Sequence, residues 1–120
     1  MREPTRLDRA EPERAILVGV LLAPPVDPEH PLDELAGLAA TAGTQVMAEL
    51  VQRRDHPDQT TYLGKGKVEE LKGLVARHDA DVVVFDNDLS PAQTRNLERA
   101  IDVKVIDRSE LILDIFAARA

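Results

Sequence analysis

A chain of 120 residues with 43% apolar and 31% charged side chains has the length and composition of one globular domain. It contains no cysteine, which excludes a disulfide scaffold, a thiolate metal site and a cysteine nucleophile, and its three histidines show no helical pairing suited to a metal. Net charge is −7, which argues against a broadly nucleic-acid-binding surface, and no apolar run approaches the roughly 18 residues of a membrane span. The expected compartment is therefore the cytoplasm. The core must be aliphatic, because Tyr62, Phe85 and Phe116 are the only aromatics.

Residues 1–13 are polar, hold two prolines and show no periodicity, and are expected to form a disordered tail ahead of a domain spanning 14–120. The run from Arg14 to Leu22 is continuously apolar and reads as a strand buried on both faces of a parallel sheet. Three prolines make 23–30 a loop, since each removes a donor and fixes φ. Pro31 is then expected as the first residue of a helix, with Leu32, Leu35, Leu38 and Ala39 on one face and Gly43 as a left-handed cap. From Thr44 to Gln52, Val46, Ala48 and Leu50 alternate with Met47, Glu49 and Val51, the pattern of a strand nearer an edge.

A polar loop over 53–63, expected to be long and mobile, precedes a helix marked by Val68, Leu71, Leu74 and Val75. Asp81 to Asp86 is a second buried strand. Ser90-Pro91-Ala92-Gln93 supplies a capping residue, a first-turn proline and a glutamine at the third position, and so starts a helix ending near Ile101. Val103–Asp107 is a short strand, and Asp107 with Glu110 repeats the capping pattern before a final helix over Leu111–Arg119. That helix carries more apolar surface, in Leu111, Ile112, Leu113, Ile115 and Phe116, than one sheet face needs. Four strand–helix units in succession predict an α/β fold: a small, mainly parallel four-stranded sheet in the order 2-1-3-4 with helices on both faces.

Charge is unevenly spread. Residues 51–78 carry six basic and four acidic side chains, the one stretch with a positive balance. Arg53, Arg54, Lys65 and Lys67 surround Tyr62, a set that can pair phosphate contacts with base stacking. Gly64-Lys65-Gly66-Lys67 opens a helix, where free N–H groups and the helix dipole attract anions. It is not a P-loop, because Thr61 and Val68 stand where that motif needs glycine and a hydroxyl residue. Spacing alone leaves open a solvated turn or a phosphate or RNA-backbone contact.

Asp86 and Asp88 flank Asn87 where ligands of open α/β sheets bind, and such a pair can hold Mg²⁺ as in response-regulator receivers. Receivers also need acidic residues after the first strand, and Leu22-Ala23-Pro24 stand there; the other reading is a turn leading into the Ser90 cap. No nucleophile elbow or triad is visible, so no catalytic residue and no metal ligand is assigned.

Several long strings carry a resemblance. Tyr62–Leu71 (YLGKGKVEEL), Phe85–Gln93 (FDNDLSPAQ), Arg95–Glu98, Val105–Arg108 and Leu111–Ala117 resemble the N-terminal domain of the HflX GTPases over residues 14–120. The resemblance implies an α/β domain followed, in the intact protein, by a helical hairpin and a GTP-binding domain, with the chain truncated before both. It implies a large-ribosomal-subunit or rRNA contact, a role in ribosome splitting or rescue, and GTP and Mg²⁺ as cofactors of the full-length protein only. Its own GTPase domain and hairpin would be partners. No D-x-x-G or N-K-x-D motif occurs in these residues, so this part is not expected to hydrolyse GTP. Two alternatives stand beside that function: a regulatory domain restraining the GTPase domain, and a small anion- or nucleotide-binding domain using Gly64–Lys67.

Overall fold

The structure, a computed structural model, describes residues 11–118; most of the expected N-terminal tail lies outside them. Eight elements alternate along the chain: β1 (Arg14–Leu21), α1 (Asp33–Thr41), β2 (Gln45–Arg53), α2 (Lys65–His78), β3 (Val82–Phe85), α3 (Pro91–Ile101), β4 (Lys104–Asp107) and α4 (Arg108–Ala118). The strands form one sheet in the order β2-β1-β3-β4, every pairing parallel, as the sequence predicts.

Burial on both faces explains the unbroken apolar strands. In β1, Ala15 and Leu17 join Leu32, Leu35, Val84 and Leu111 beneath α1 and α4. Ile16 and Val18, one residue out of phase, join Leu71, Phe85, Leu97 and Ile101 beneath α2 and α3. All of these are almost fully buried, and among the described residues no polar or charged residue is buried with them. Burying one such side chain contributes about 1.5–3 kcal/mol, so two largely aliphatic layers suffice with Phe85 as the fully buried aromatic residue. Gly19 is dictated by this packing: a Cβ there would lie 2.5 Å from Cδ2 of the fully buried Leu32.

Helix ends follow local chemistry. Ser90 Oγ accepts from Gln93 N at 3.1 Å while Gln93 Oε1 accepts from Ser90 N at 2.9 Å, the reciprocal cap predicted for α3. Asp107 Oδ1 accepts from Glu110 N at 3.0 Å and caps α4. Gly43, at φ 78°, closes α1, with Gly43 N donating to Ala40 O and Thr44 N to Ala39 O.

Two local expectations are corrected. Helix α1 begins at Asp33, not Pro31: Pro31 and Leu32 sit in a turn closed by Asp33 N donating to His30 O. Strand β2 does not keep a single alternation, because Ala15 pairs with Val46 but Ile16 pairs with Ala48. Met47 is the extra residue of a β-bulge, so Val46 faces the α1 layer while Met47, Ala48 and Leu50 face the α2 layer.

Candidate nucleic-acid interface

The cationic candidates lie where β2 ends and α2 begins. Arg54 N donates to Leu21 O at 3.1 Å, which carries the sheet one step past Arg53. Arg54 Nε then donates to His56 O at 3.0 Å, turning the guanidinium back along the loop. A Cβ on Gly64 would lie 2.7 Å from Arg54 Nη1, so the guanidinium crosses directly over this residue. Gly64 N donates to Gln52 Oε1 at 2.9 Å, and Gly64 occupies the capping position of α2.

Helix α2 has no acidic residue in its first turn, whereas Lys65 and Lys67 stand there. Lys67 Nζ makes an ion pair with Glu70 at 3.0 Å; Lys65 and Gly66 are exposed. Arg54 thus crosses the positive end of the α2 dipole, while Lys65 and Lys67, two residues apart, leave different sides of the first turn. Arg53 is exposed and shares with Arg54, Asp55, Leu22 and Pro24 the lining of a shallow hollow.

Between these groups the chain folds back on itself. Asp58 and Tyr62 exchange two backbone hydrogen bonds, each 2.9 Å, and Asp58 Oδ1 accepts from Thr60 N at 2.8 Å and Thr61 N at 3.1 Å. The N–H groups of Thr61 and Thr60, with a smaller contribution from Arg54, hold the Asp58 carboxyl below its ordinary range against the opposing effect of burial. Tyr62 has φ 63°, a left-handed conformation that costs a residue with a side chain about 1 kcal/mol. Leu63 is fully buried and anchors the loop to the core.

The expected long mobile loop is therefore an ordered element, since side chains of α3 also hold it. Gln93 Nε2 donates to Asp58 O at 3.2 Å and Asn96 Nδ2 to Thr60 O at 2.9 Å. Tyr62 also differs from the free stacking ring expected: it is half-buried and packs on the α2 layer. Gln93 was visible in the sequence only as a cap, and Asn96 carried no signal beyond lying one turn further along the helix.

The crevice at the carboxyl ends of β1 and β3, where open α/β sheets bind ligands, is occupied by protein groups. Asn87 Oδ1 accepts from Val20 N at 2.8 Å and its Nδ2 donates to Val20 O at 2.9 Å. Arg108 Nη1 donates to Asp86 Oδ1 at 3.0 Å, and Nη2 of the same residue pairs with Glu34. Burial opposes the charge on Arg108, but these two carboxylates outweigh it and raise its pKa. Ser109 Oγ donates to Asp88 Oδ1 at 2.7 Å. Both aspartates that could have bound Mg²⁺ thus have partners, and among the described residues no cluster of histidine or carboxylate side chains could hold a metal ion. Nor, among those residues, is any helix long and apolar enough to cross a membrane.

Comparison with known proteins gives a consistent result. The family model described as "GTP-binding GTPase N-terminal" matches residues 29–117. The GTPase HflX of Lacrimispora saccharolytica is 50% identical over 108 residues, covering 90% of this chain and 26% of that protein. The GTPase HflX of Escherichia coli is 43% identical over 108 residues, covering 90% and 25%. The chain thus spans about a quarter of the length of the curated relatives it matches. Among solved structures, an SsGBP–GDP complex superposes with a TM-score of 0.66 at 21% identity, over 90% of this chain and 30% of that one. A GTP-binding protein from Sulfolobus solfataricus in complex with GDP gives 0.62 at 21% identity, over 88% and 30%. At that identity the likeness is one of fold.

Proposed function

The chain belongs to the GTP-binding GTPase N-terminal family, the N-terminal domain of the HflX GTPases, and from that premise we propose that it is a module contacting the large ribosomal subunit through rRNA. The observation supporting this reading is that Arg54 crosses the amino end of α2, whose first turn holds Lys65 and Lys67 and no acidic residue, beside a preformed loop. Phosphate oxygens suit that place, because each cation and the helix dipole gain from the same negative charge. The acidity of the rest of the surface confines attraction to this patch and lowers non-specific binding.

In the intact protein such a module would serve a cytoplasmic GTPase acting in ribosome splitting or rescue. GTP and Mg²⁺ would be bound outside these residues: Asp86 and Asp88 are engaged by Arg108 and Ser109, and the turn at Gly64–Lys67 lacks the P-loop spacing. No catalytic step is assigned to this chain.

A second reading has its own observation. Leu113 and Phe116 on α4 are 67% and 66% exposed, and an apolar flank of this kind suits packing against the GTPase domain that the relatives' names imply. In that role the domain would restrain GTP turnover.

Co-sedimentation with purified large ribosomal subunits across a salt series separates the two. Binding that weakens steeply with salt and disappears when Arg53, Arg54, Lys65 and Lys67 are changed to glutamate supports the rRNA contact. Absence of binding even at low salt refutes it and favours the restraining role, and calorimetry with ATP and GTP tests the small nucleotide-binding alternative.

A further inference from the structure

We infer that α3 clamps the 58–62 loop through Gln93 and Asn96, and that the shape so fixed, as well as the neighbouring charge, determines how the loop docks on RNA. The docking half rests on the rRNA reading above; the clamp itself does not.

Gln93 performs two tasks with two different atoms. Its Oε1 completes the cap by accepting from Ser90 N, and a glutamate would do that equally well. Its Nε2 donates to Asp58 O at 3.2 Å and reaches Gln59 O at 3.5 Å, which a carboxylate could not do. Gln93 thus ties the start of α3 to the loop across 35 residues of sequence. Asn96 lies three residues on, over the same helix face, and donates to Thr60 O at 2.9 Å. Asparagine is a poor residue for a helix interior, and this contact accounts for its presence.

The loop's own bonds complete the arrangement. The Asp58 side chain takes the Thr60 and Thr61 amides, Thr61 Oγ1 donates to Leu63 O at 2.7 Å, and the left-handed Tyr62 returns the chain to its buried anchor. Carbonyls 58, 59 and 60 are all turned towards α3, leaving Gln59 and Thr60 as the exposed tip. A tip ordered during folding costs less entropy to dock than one ordered on contact. The same bonds explain how an L-residue persists at φ 63° on the surface: the surroundings over-determine it.

The test uses Asn96→Ala, which removes the donor while raising helix propensity, and Gln93→Glu, which keeps the cap and removes the second donor. Amide hydrogen exchange is read at Thr60, Thr61 and Tyr62, with the β3 amides as an internal reference. Each variant is expected to speed exchange in the loop at least tenfold and leave β3 unchanged. Asn96→Ala is expected to weaken co-sedimentation with large ribosomal subunits about fivefold, and Asn96→Gln, which retains an amide donor, to recover part of the loss in both measurements. Unchanged loop exchange in both variants overturns the clamp. Faster exchange with undiminished subunit binding overturns the docking role alone. A parent chain that does not bind subunits at low salt overturns the rRNA reading and the docking role with it, while the exchange data still judge the clamp.

Discussion

Replacing Asn87 by alanine tests whether a side chain can act as a rung of the sheet. Strand β3 ends at Phe85, and the last backbone bond between it and β1 is Asp86 N donating to Val18 O at 2.8 Å. Two residues further along β1, Val20 N and Val20 O are both taken by the Asn87 amide, at 2.8 and 2.9 Å. Each bond contributes about 1 kcal/mol net. Asn87 is half-buried, so water reaches part of what the amide leaves, and the loss stays near 2 kcal/mol. Its φ is not positive and it lies outside any helix, so alanine adds neither backbone strain nor a propensity change. For a domain of this size, 2 kcal/mol corresponds to a fall of about 8 °C in Tm. Asn87→Asp is expected to be worse than alanine near neutral pH, because a carboxylate oxygen replaces the donor facing Val20 O, and to improve on acidification as that oxygen acquires a proton. Thermal unfolding followed by far-ultraviolet circular dichroism measures both. A fall of less than about 2 °C for Asn87→Ala would refute the argument and show the two bonds to be replaceable by solvent.

Two further outcomes are expected. The Asp58 carboxyl is held below its ordinary value of 3.8, chiefly by the Thr61 and Thr60 amides, so its contribution to stability is present above that value and is lost as pH falls through the lower folded value. Asp58→Asn keeps an oxygen for both amides but does not titrate; the gap in Tm between the two proteins is expected to favour Asp58 at neutral pH and to close below pH 3.8, and a gap independent of pH would contradict this. Leu111→Ala, at 3% exposure, is expected to cost about 3 kcal/mol in urea unfolding, whereas Phe116→Ser, at 66%, is expected to change stability by less than about 0.5 kcal/mol.

The sheet was legible in the residues because its signals are local or rest on general rules. Arg14–Leu22 and Asp81–Asp86 are too apolar to be half-exposed, Ser90-Pro91-Ala92-Gln93 is a complete helix start, and alternation with right-handed crossovers restricts the topology. The basic residues around the start of α2 were countable in the sequence, although the placement of Arg54 over Gly64 and the half-buried packing of Tyr62 were not. The missed features depend on partners far away in sequence. The Asn87 amide meets Val20 across 67 positions and Asn96 meets Thr60 across 36, and nothing beside either asparagine encodes its partner. The bulge at Met47 was hidden for another reason: Val46, Ala48 and Leu50 read as unbroken alternation because valine and alanine are acceptable in either layer.

That bulge has a consequence for how β2 tolerates change in length. With Met47 removed, Val46 and Ala48 would become neighbours, would point to opposite sides by ordinary pleating, and would still meet Ala15 and Ile16 as they do now. Every other residue of the strand would keep its present layer. Strand β2 therefore contains one residue more than its ladder requires, and a single-residue deletion that would invert any regular strand is absorbed at this one position, at the cost only of the contacts the methionine makes.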